Sequence, residues 1–419
     1  MPASPWEDYL SRISAGALYL HVPFCARKCA YCDFASWATC IDDPLMARYA
    51  QALERQVDEV QSLGLLEGCE TAYVGGGTPS LLGADALGPL VEKVVRAAAP
   101  SELTCEANPD SLSDEVLSAL VAAGATRLSV GVQSLCDDEL AVLGRLHTAD
   151  EARDRVRDAV ASGLDVSVDL MCATPGQTRE SWQETLAGAI ELGVGHVSVY
   201  PLMIEEGTPF DLRYGSQDCP WNAEDIQASR MTQAQVELEG RGFSRYEVAS
   251  YAQPWKACRH NIAYWTGMPY LGLGTGASGM LTHEGYLRLC SRCPQLPKAP
   301  KATRRVRLTV ETPRVELAER PALADLSFSL EFLDEGQAVA EDLMLGARLV
   351  AGLEPGLVEH ARSVLGPSLD QALERLVAEG LLAERAGRLT PTERGWLLGN
   401  ELYGELWALA SGEVTSASC

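Results

Sequence analysis

Cys25, Cys29 and Cys32 stand at C-x3-C-x2-C spacing inside "YLHVPFCARKCAYCDF", with no fourth cysteine in the stretch. Three thiols so close together suit a metal, and three chemistries compete for them. A structural zinc site wants four ligands; His21 is a candidate fourth, although it lies on an expected strand. Cys29-Ala30-Tyr31-Cys32 is a redox-type C-x-x-C, but it opens no thioredoxin-like pattern. An iron–sulfur cluster is usually held by four thiolates; with three, one iron stays open to a substrate or cofactor.

Other polar residues fall where an α/β fold does its chemistry. "VGGGTPS" over 74–80 offers backbone N–H and C=O groups at a glycine turn. Glu106 in "CEANPD" and Gln133 in "LSVGVQS" close two expected strands, and Asp169 sits inside the apolar run "SVDLM". An ionised Asp there is costly unless paired or bound to a ligand. Arg145 in "LGRLHTADEA" can pair with a carboxylate. A structural salt-bridge network is the plainer account of the set, but its recurrence at successive strand ends favours one shared ligand.

The elements that must position these residues follow from periodicity. Short β-branched runs at 17–22, 70–76, 102–108, 126–132, 165–171 and 195–201 predict strands. Helical spacing covers roughly 43–64, 80–99, 111–123, 135–143, 148–162, 178–193 and 223–241. Six strands alternating with helices predict an α/β fold, a partial (β/α)6-type TIM-like barrel with its site at the C-terminal strand ends. The expected organisation is a core over 1–215, a substrate-side extension over 216–290, a Pro/Lys/Arg-rich irregular connector over 291–330 and a mostly helical, winged-helix-like domain over 331–419.

The chain has 419 residues, 47% of them hydrophobic, which suits a globular protein of more than one unit. With 34 Lys and Arg against 58 Asp and Glu, the net charge is −24, which repels phosphate backbones; no nucleic-acid partner is expected. "MPASPWEDYLSRIS" lacks a signal-peptide pattern, and no apolar run reaches the ~20 residues of a membrane span. The expected location is cytoplasmic, with the scattered cysteines among the 13 reduced and mostly buried. Cys290 and Cys293 form a weaker C-x2-C pair; a metal shared with Cys258 and His283 is the less favoured account of it.

C-x3-C-x2-C after a first strand resembles the radical S-adenosylmethionine superfamily. "GGGTPSLL", "EANPDSL", "RLSVGVQS", "LGRLHTADEA" and "CRHNIAYWTGMPYLGLGTGASG" narrow the resemblance to its HemN/HemW branch, across most of the chain. The resemblance implies a [4Fe–4S] cluster on Cys25, Cys29 and Cys32, whose open iron chelates S-adenosylmethionine; an electron from the cluster then yields a 5′-deoxyadenosyl radical. It implies that Tyr19, Gly76, Gly77, Thr78, Glu106, Gln133, Arg145 and Asp169 bind S-adenosylmethionine. In the branch, the oxygen-independent coproporphyrinogen oxidases carry a further cysteine where this chain has Phe34. Its absence matches the haem chaperones, so the implied cofactors include haem and the implied partners are haem-accepting proteins and an electron donor. Membrane contact is expected only peripherally, through acceptors. The H-N-x-x-Y-W stretch, here His260 to Trp265, is associated with haem in the branch; His260 is the candidate ligand, with core packing as its alternative. Two positions depart from the branch: Ser278 replaces a His, and Ala173 replaces a Gly.

Overall fold

The computed structural model describes residues 14–215, 219–410 and 415–418. The opening stretch read for a signal peptide lies almost wholly outside them. Six parallel strands form where the β-branched runs predict them: β1 (Ala17–Val22), β2 (Thr71–Gly76), β3 (Glu102–Ala107), β4 (Arg127–Gln133), β5 (Asp165–Cys172) and β6 (His196–Pro201). They neighbour one another in that order, each pair parallel, because every connection crosses over through a helix. The helix Asp114–Ala123 shows how the sequence sets such a crossover. The Ser113 side chain accepts from the Val116 N–H, Asp114 and Glu115 sit at the positive helix end, and Gly124 closes it at φ 93°.

The six strands do not close into a full barrel. At the β6 edge, β7 (Ser250–Ala252) adds antiparallel. At the β1 edge, β8 (Tyr270–Leu273) adds parallel, followed antiparallel by β9 (Ser278–Thr282), β10 (Arg305–Val310) and β11 (Phe328–Leu333). The supposed irregular connector therefore supplies β10 and the helix Arg314–Glu319. Its Pro/Lys/Arg-rich composition hid a six-residue run, "RVRLTV", whose alternation is that of a strand with one wet face. Cys293 packs inside this region with its Sγ donating to the Leu323 carbonyl at 3.4 Å, the placement of a core thiol.

The main core lies between the sheet and its helices. A second core, built on Leu343, Leu353, Leu369, Leu373, Leu376, Leu402 and Leu406, holds the C-terminal helices. There the helices Pro355–Leu365 and Pro367–Ala378 precede a hairpin, Leu382–Arg385 with Arg388–Pro391, and the helices Glu393–Leu397 and Gly399–Trp407. This is the winged-helix-like order read from the sequence. Among the described residues, no helix is long and apolar enough to cross a membrane.

Candidate functional site

The cysteine loop leaves β1 and is stitched to its surroundings by backbone bonds. Cys25 C=O accepts from Thr39 N–H at 2.8 Å, Ala30 N–H donates to Leu143 C=O at 3.1 Å, and Ala30 C=O accepts from Phe210 N–H at 2.9 Å. Beneath it, Tyr31 and Ala30 pack on a small apolar cluster of Leu143, Met171, Leu202 and Phe210. Two thiols face donors. Thr78 Oγ1 donates to Cys25 Sγ at 3.7 Å, and Arg145 donates to Cys29 Sγ at 3.3 Å. Asn108 joins these contacts: its Oδ1 accepts from Arg145 at 2.6 Å and its Nδ2 donates to Thr78 Oγ1 at 3.0 Å. An unbroken chain thus runs from Cys29 through Arg145, Asn108 and Thr78 to Cys25. Burial pushes the Cys25 and Cys32 thiols upward, and the Thr78 contact acts against this at Cys25.

These residues fit an iron–sulfur cluster. Donors aimed at sulfur favour the thiolate, which is the ligand form. Among the described residues, no three His, Cys, Asp or Glu side chains gather round a single ion position. In a multi-iron cluster each thiolate binds its own iron. His21, weighed as a fourth ligand, is committed elsewhere: its Nε2 donates to Ala35 C=O at 2.9 Å and its Nδ1 accepts from Tyr19 O–H at 2.9 Å. His21 thereby ties the far end of the cysteine loop to β1, a role its sequence position does not reveal. Tyr19 reaches the site through His21.

The glycine turn is explained by close packing against protein. A Cβ on Gly76, at φ 112°, would lie 2.5 Å from the His21 ring, and one on Gly77 would lie 2.6 Å from the Phe24 carbonyl oxygen. The turn brings the Gly76 N–H to Glu106 Oε2 at 3.0 Å, while Tyr73 O–H donates to Glu106 Oε1 at 2.7 Å. Glu106 is nevertheless pushed up to about 7, first by burial and then by Asp169, against the pull of the Tyr73 bond. Burial also raises Asp169, which Ser129 and Ser198 hold by hydrogen bonds. Gln133 ends β4 at φ 68°, where the register with β5 slips, so its side chain turns into the barrel.

A cavity of about 420 Å³ fills the barrel. Glu106, Gln133, Asp169 and Cys32 line it; Arg145, Thr78, Gly76, Gly77, Cys25 and Cys29 form the adjoining wall near the cysteine loop. Its interior also carries Thr104, Arg127, Ser129, Ser167, His196 and Ser198, to which the sequence analysis assigns no role. Their signal is a period of two: in "RLSV", "VSVD" and "HVSV", polar residues face the lumen while Leu128, Val166, Val168, Val197 and Val199 face the helices. Phe34 (64% exposed), Met203 (59%) and Tyr200 (42%) make an apolar rim at the mouth.

The H-N-x-x-Y-W stretch lies at the opposite end. The helix Arg259–Trp265 plugs the barrel where the strands begin, and Glu102, first residue of β3, caps it. The Glu102 carboxylate accepts from His260 N–H at 2.9 Å and from Arg259 N–H at 3.1 Å. His260 is 1% exposed, its Nδ1 bonded to Thr71 Oγ1 at 2.9 Å and its Nε2 to Tyr264 Oη at 3.1 Å; burial pushes it down to about 3. Asn261 donates to Tyr246 and Trp265 to Glu247. Both ring nitrogens of His260 meet protein hydroxyls, so in this structure His260 packs the barrel floor. Of the two departures, Ser278 bonds Thr309 across the β9–β10 pair, and Ala173 holds φ 55°, the conformation that favours the branch's glycine.

The radical S-adenosylmethionine superfamily model matches residues 19–187, the span of the first five strands and the cysteine loop. The haem chaperone HemW of Mycobacterium tuberculosis is 33% identical over 395 residues, 93% of this chain and 94% of that protein. This chain belongs to the HemW family. HemW of Escherichia coli is 32% identical over 391 residues, 92% of this chain and 96% of that protein. The fold is that of the E. coli coproporphyrinogen III oxidase HemN, a radical S-adenosylmethionine enzyme, with a TM-score of 0.72 over 96% of this chain and 92% of the oxidase at 19% identity.

Proposed function

We propose that this protein binds haem and passes it to acceptor haemoproteins, while carrying a [4Fe–4S] cluster on Cys25, Cys29 and Cys32 and S-adenosylmethionine beside it. The observation that carries the haem reading is the rim. Where the oxidase branch has a further cysteine, this chain exposes Phe34 next to Tyr200 and Met203 over the cavity. Flat and soft apolar groups suit a porphyrin face. The near full-length relatedness to HemW proteins supports the same reading.

Bound to the three thiolates, the cluster would supply an open iron and an electron. The chain's own groups hold the cofactor: Glu106, Asp169 and Gln133 offer acceptors to a cationic, hydroxyl-bearing ligand, and Arg145, Gly76, Gly77 and Thr78 form the wall against the cysteine loop. Tyr19 positions His21 behind that loop. Cys69, Cys105, Cys172 and Cys258 are buried free thiols, in keeping with a reducing, cytoplasmic setting. Acceptor haemoproteins and an electron donor are the partners this function requires, with the domain limits given above as its working division.

Titration of haem into the anaerobically prepared chain tests the proposal. A saturable Soret band is expected, weakened by Phe34→Asp and keeping its ligand signature in His260→Ala. No binding at micromolar haem would overturn it. Coproporphyrinogen incubated with reduced protein and S-adenosylmethionine should keep its mass; loss of carboxyl groups would instead establish a porphyrin-modifying enzyme.

A further inference from the structure

The lower half of the barrel cavity is chemically unlike the upper half. Above, Glu106 and Asp169 present carboxylates. Below, where β4 and β6 begin, three side chains bury a polar atom that has no partner: Arg127 (3% exposed) its NH2 nitrogen, Thr104 (1%) its hydroxyl and His196 (2%) its Nδ1. All three line the cavity. An unpaired polar group at such depth is destabilising, and a charged one more so.

Their neighbours define what they lack. Arg127 spends NH1 on the Lys256 carbonyl at 2.9 Å, which anchors the loop below the barrel, and forms no ion pair among the described residues. Asp169, further up the barrel, is bonded to Ser129 and Ser198, while Glu102 and Asp165 at the strand starts are taken up by the Arg259–Trp265 helix and by Lys256. The His196 tautomer follows from Tyr246. The Tyr246 oxygen accepts from the Cys258 N–H and from Asn261 Nδ2, each at 3.3 Å, so its O–H donates to His196 Nε2 at 2.9 Å. The proton of the neutral imidazole then sits on Nδ1, which becomes a donor without an acceptor. Arg127 can only donate as well, and the Thr104 hydroxyl is free to do so. A fixed fork, an imidazole N–H and a hydroxyl around one cavity match the two oxygens of a carboxylate.

We propose that the floor of the barrel cavity is a carboxylate-binding subsite in which Arg127, His196 and Thr104 donate to the carboxylate of a small ligand lying deeper than S-adenosylmethionine. The ligand reaches it past Glu106 and Asp169, so a carboxylate on a slender chain fits and a bulky anion does not. The subsite uses none of the cysteine loop and stands independently of the haem reading.

Acetate is the probe, with acetamide as the neutral isostere and chloride at equal ionic strength as the salt control. In the full-length chain, acetate should raise Tm and move the His196 Nδ1–H resonance in ¹⁵N-histidine NMR; acetamide and chloride should do neither. Arg127→Gln and the shape-preserving Thr104→Val should each weaken the acetate response by about tenfold, the loss of one charge-assisted or buried hydrogen bond. Should Arg127→Gln fail to fold, Thr104→Val and the wild-type resonance still decide. Equal responses to acetate, acetamide and chloride, an unchanged response in Thr104→Val, or a crystal grown in acetate with only water on Arg127 would each overturn the subsite.

Discussion

Asn108 holds the cysteine loop together from outside it, because its amide is the one link able to accept from Arg145 and donate to Thr78 at once. Asn108→Asp keeps the acceptor and removes the donor, so the Cys25 side of the chain should loosen while the Cys29 side stays. The expected outcome is faster loss of cluster iron to a chelator, with Asn108→Ala faster still and less stable by ~1–2 kcal/mol. Glu106 makes a second prediction, with its sign set by burial. Its carboxyl is raised to about 7 in the folded chain, so across the interval from its ordinary 4.5 to 7 the folded state keeps a proton the unfolded state has lost. Its contribution to stability is therefore full below that interval and declines as pH rises through it. Glu106→Gln should flatten this slope in denaturant titrations at pH 5, 6 and 7. A cationic ligand that needs the carboxylate should bind more weakly as pH falls below 7, as calorimetry with S-adenosylmethionine would report.

The helix Arg259–Trp265 and the helix Glu335–Gly346 lock the two ends of the sheet to their neighbours. The first is a stopper whose N-terminus is pinned by Glu102. The second is joined to β10 by a two-point ion pair, Arg305 to Asp342 at 2.6 and 2.7 Å, with both side chains largely buried. Removing one partner leaves the other charge unpaired, so Asp342→Ala should cost ~3–5 kcal/mol. Urea titration with hydrogen exchange should show the loss centred on the C-terminal helices; uniform loss across β1–β6 would speak against this.

In the whole molecule, the cysteine loop is an attachment to a barrel that is already packed. The main core runs between sheet and helices; the loop packs Ala26 against its edge and Ala30 and Tyr31 on the small cluster around Phe210. Metal analysis should give about four irons and four sulfides per chain. Stripping them should leave the far-UV spectrum and the cooperative unfolding of the barrel intact, with proteolysis newly directed to residues 26–36. Global unfolding on iron removal would show instead that the cluster is part of the core. The net charge of −24 adds a long-range effect: encounter with a basic acceptor should slow as salt rises, whereas haem retention should not.

The sequence by itself determined the six strands to within about one residue at each end, because short β-branched runs and capped amphipathic helices are local properties. It also determined the cysteine loop, since C-x3-C-x2-C spacing is covalent. Three things waited for the tertiary structure. The Pro- and Arg-rich composition of 291–325 concealed β10, whose pairing partners lie far along the chain. Whether His260 meets a ligand or a Thr71 hydroxyl depended on which end of the barrel its helix plugs, a non-local choice. The polar lining appeared only when strands with a period of two closed round one lumen, bringing Thr104, Arg127 and His196 to a single floor. Periodicity says that such residues share a face; only the curvature of the sheet says that the faces meet.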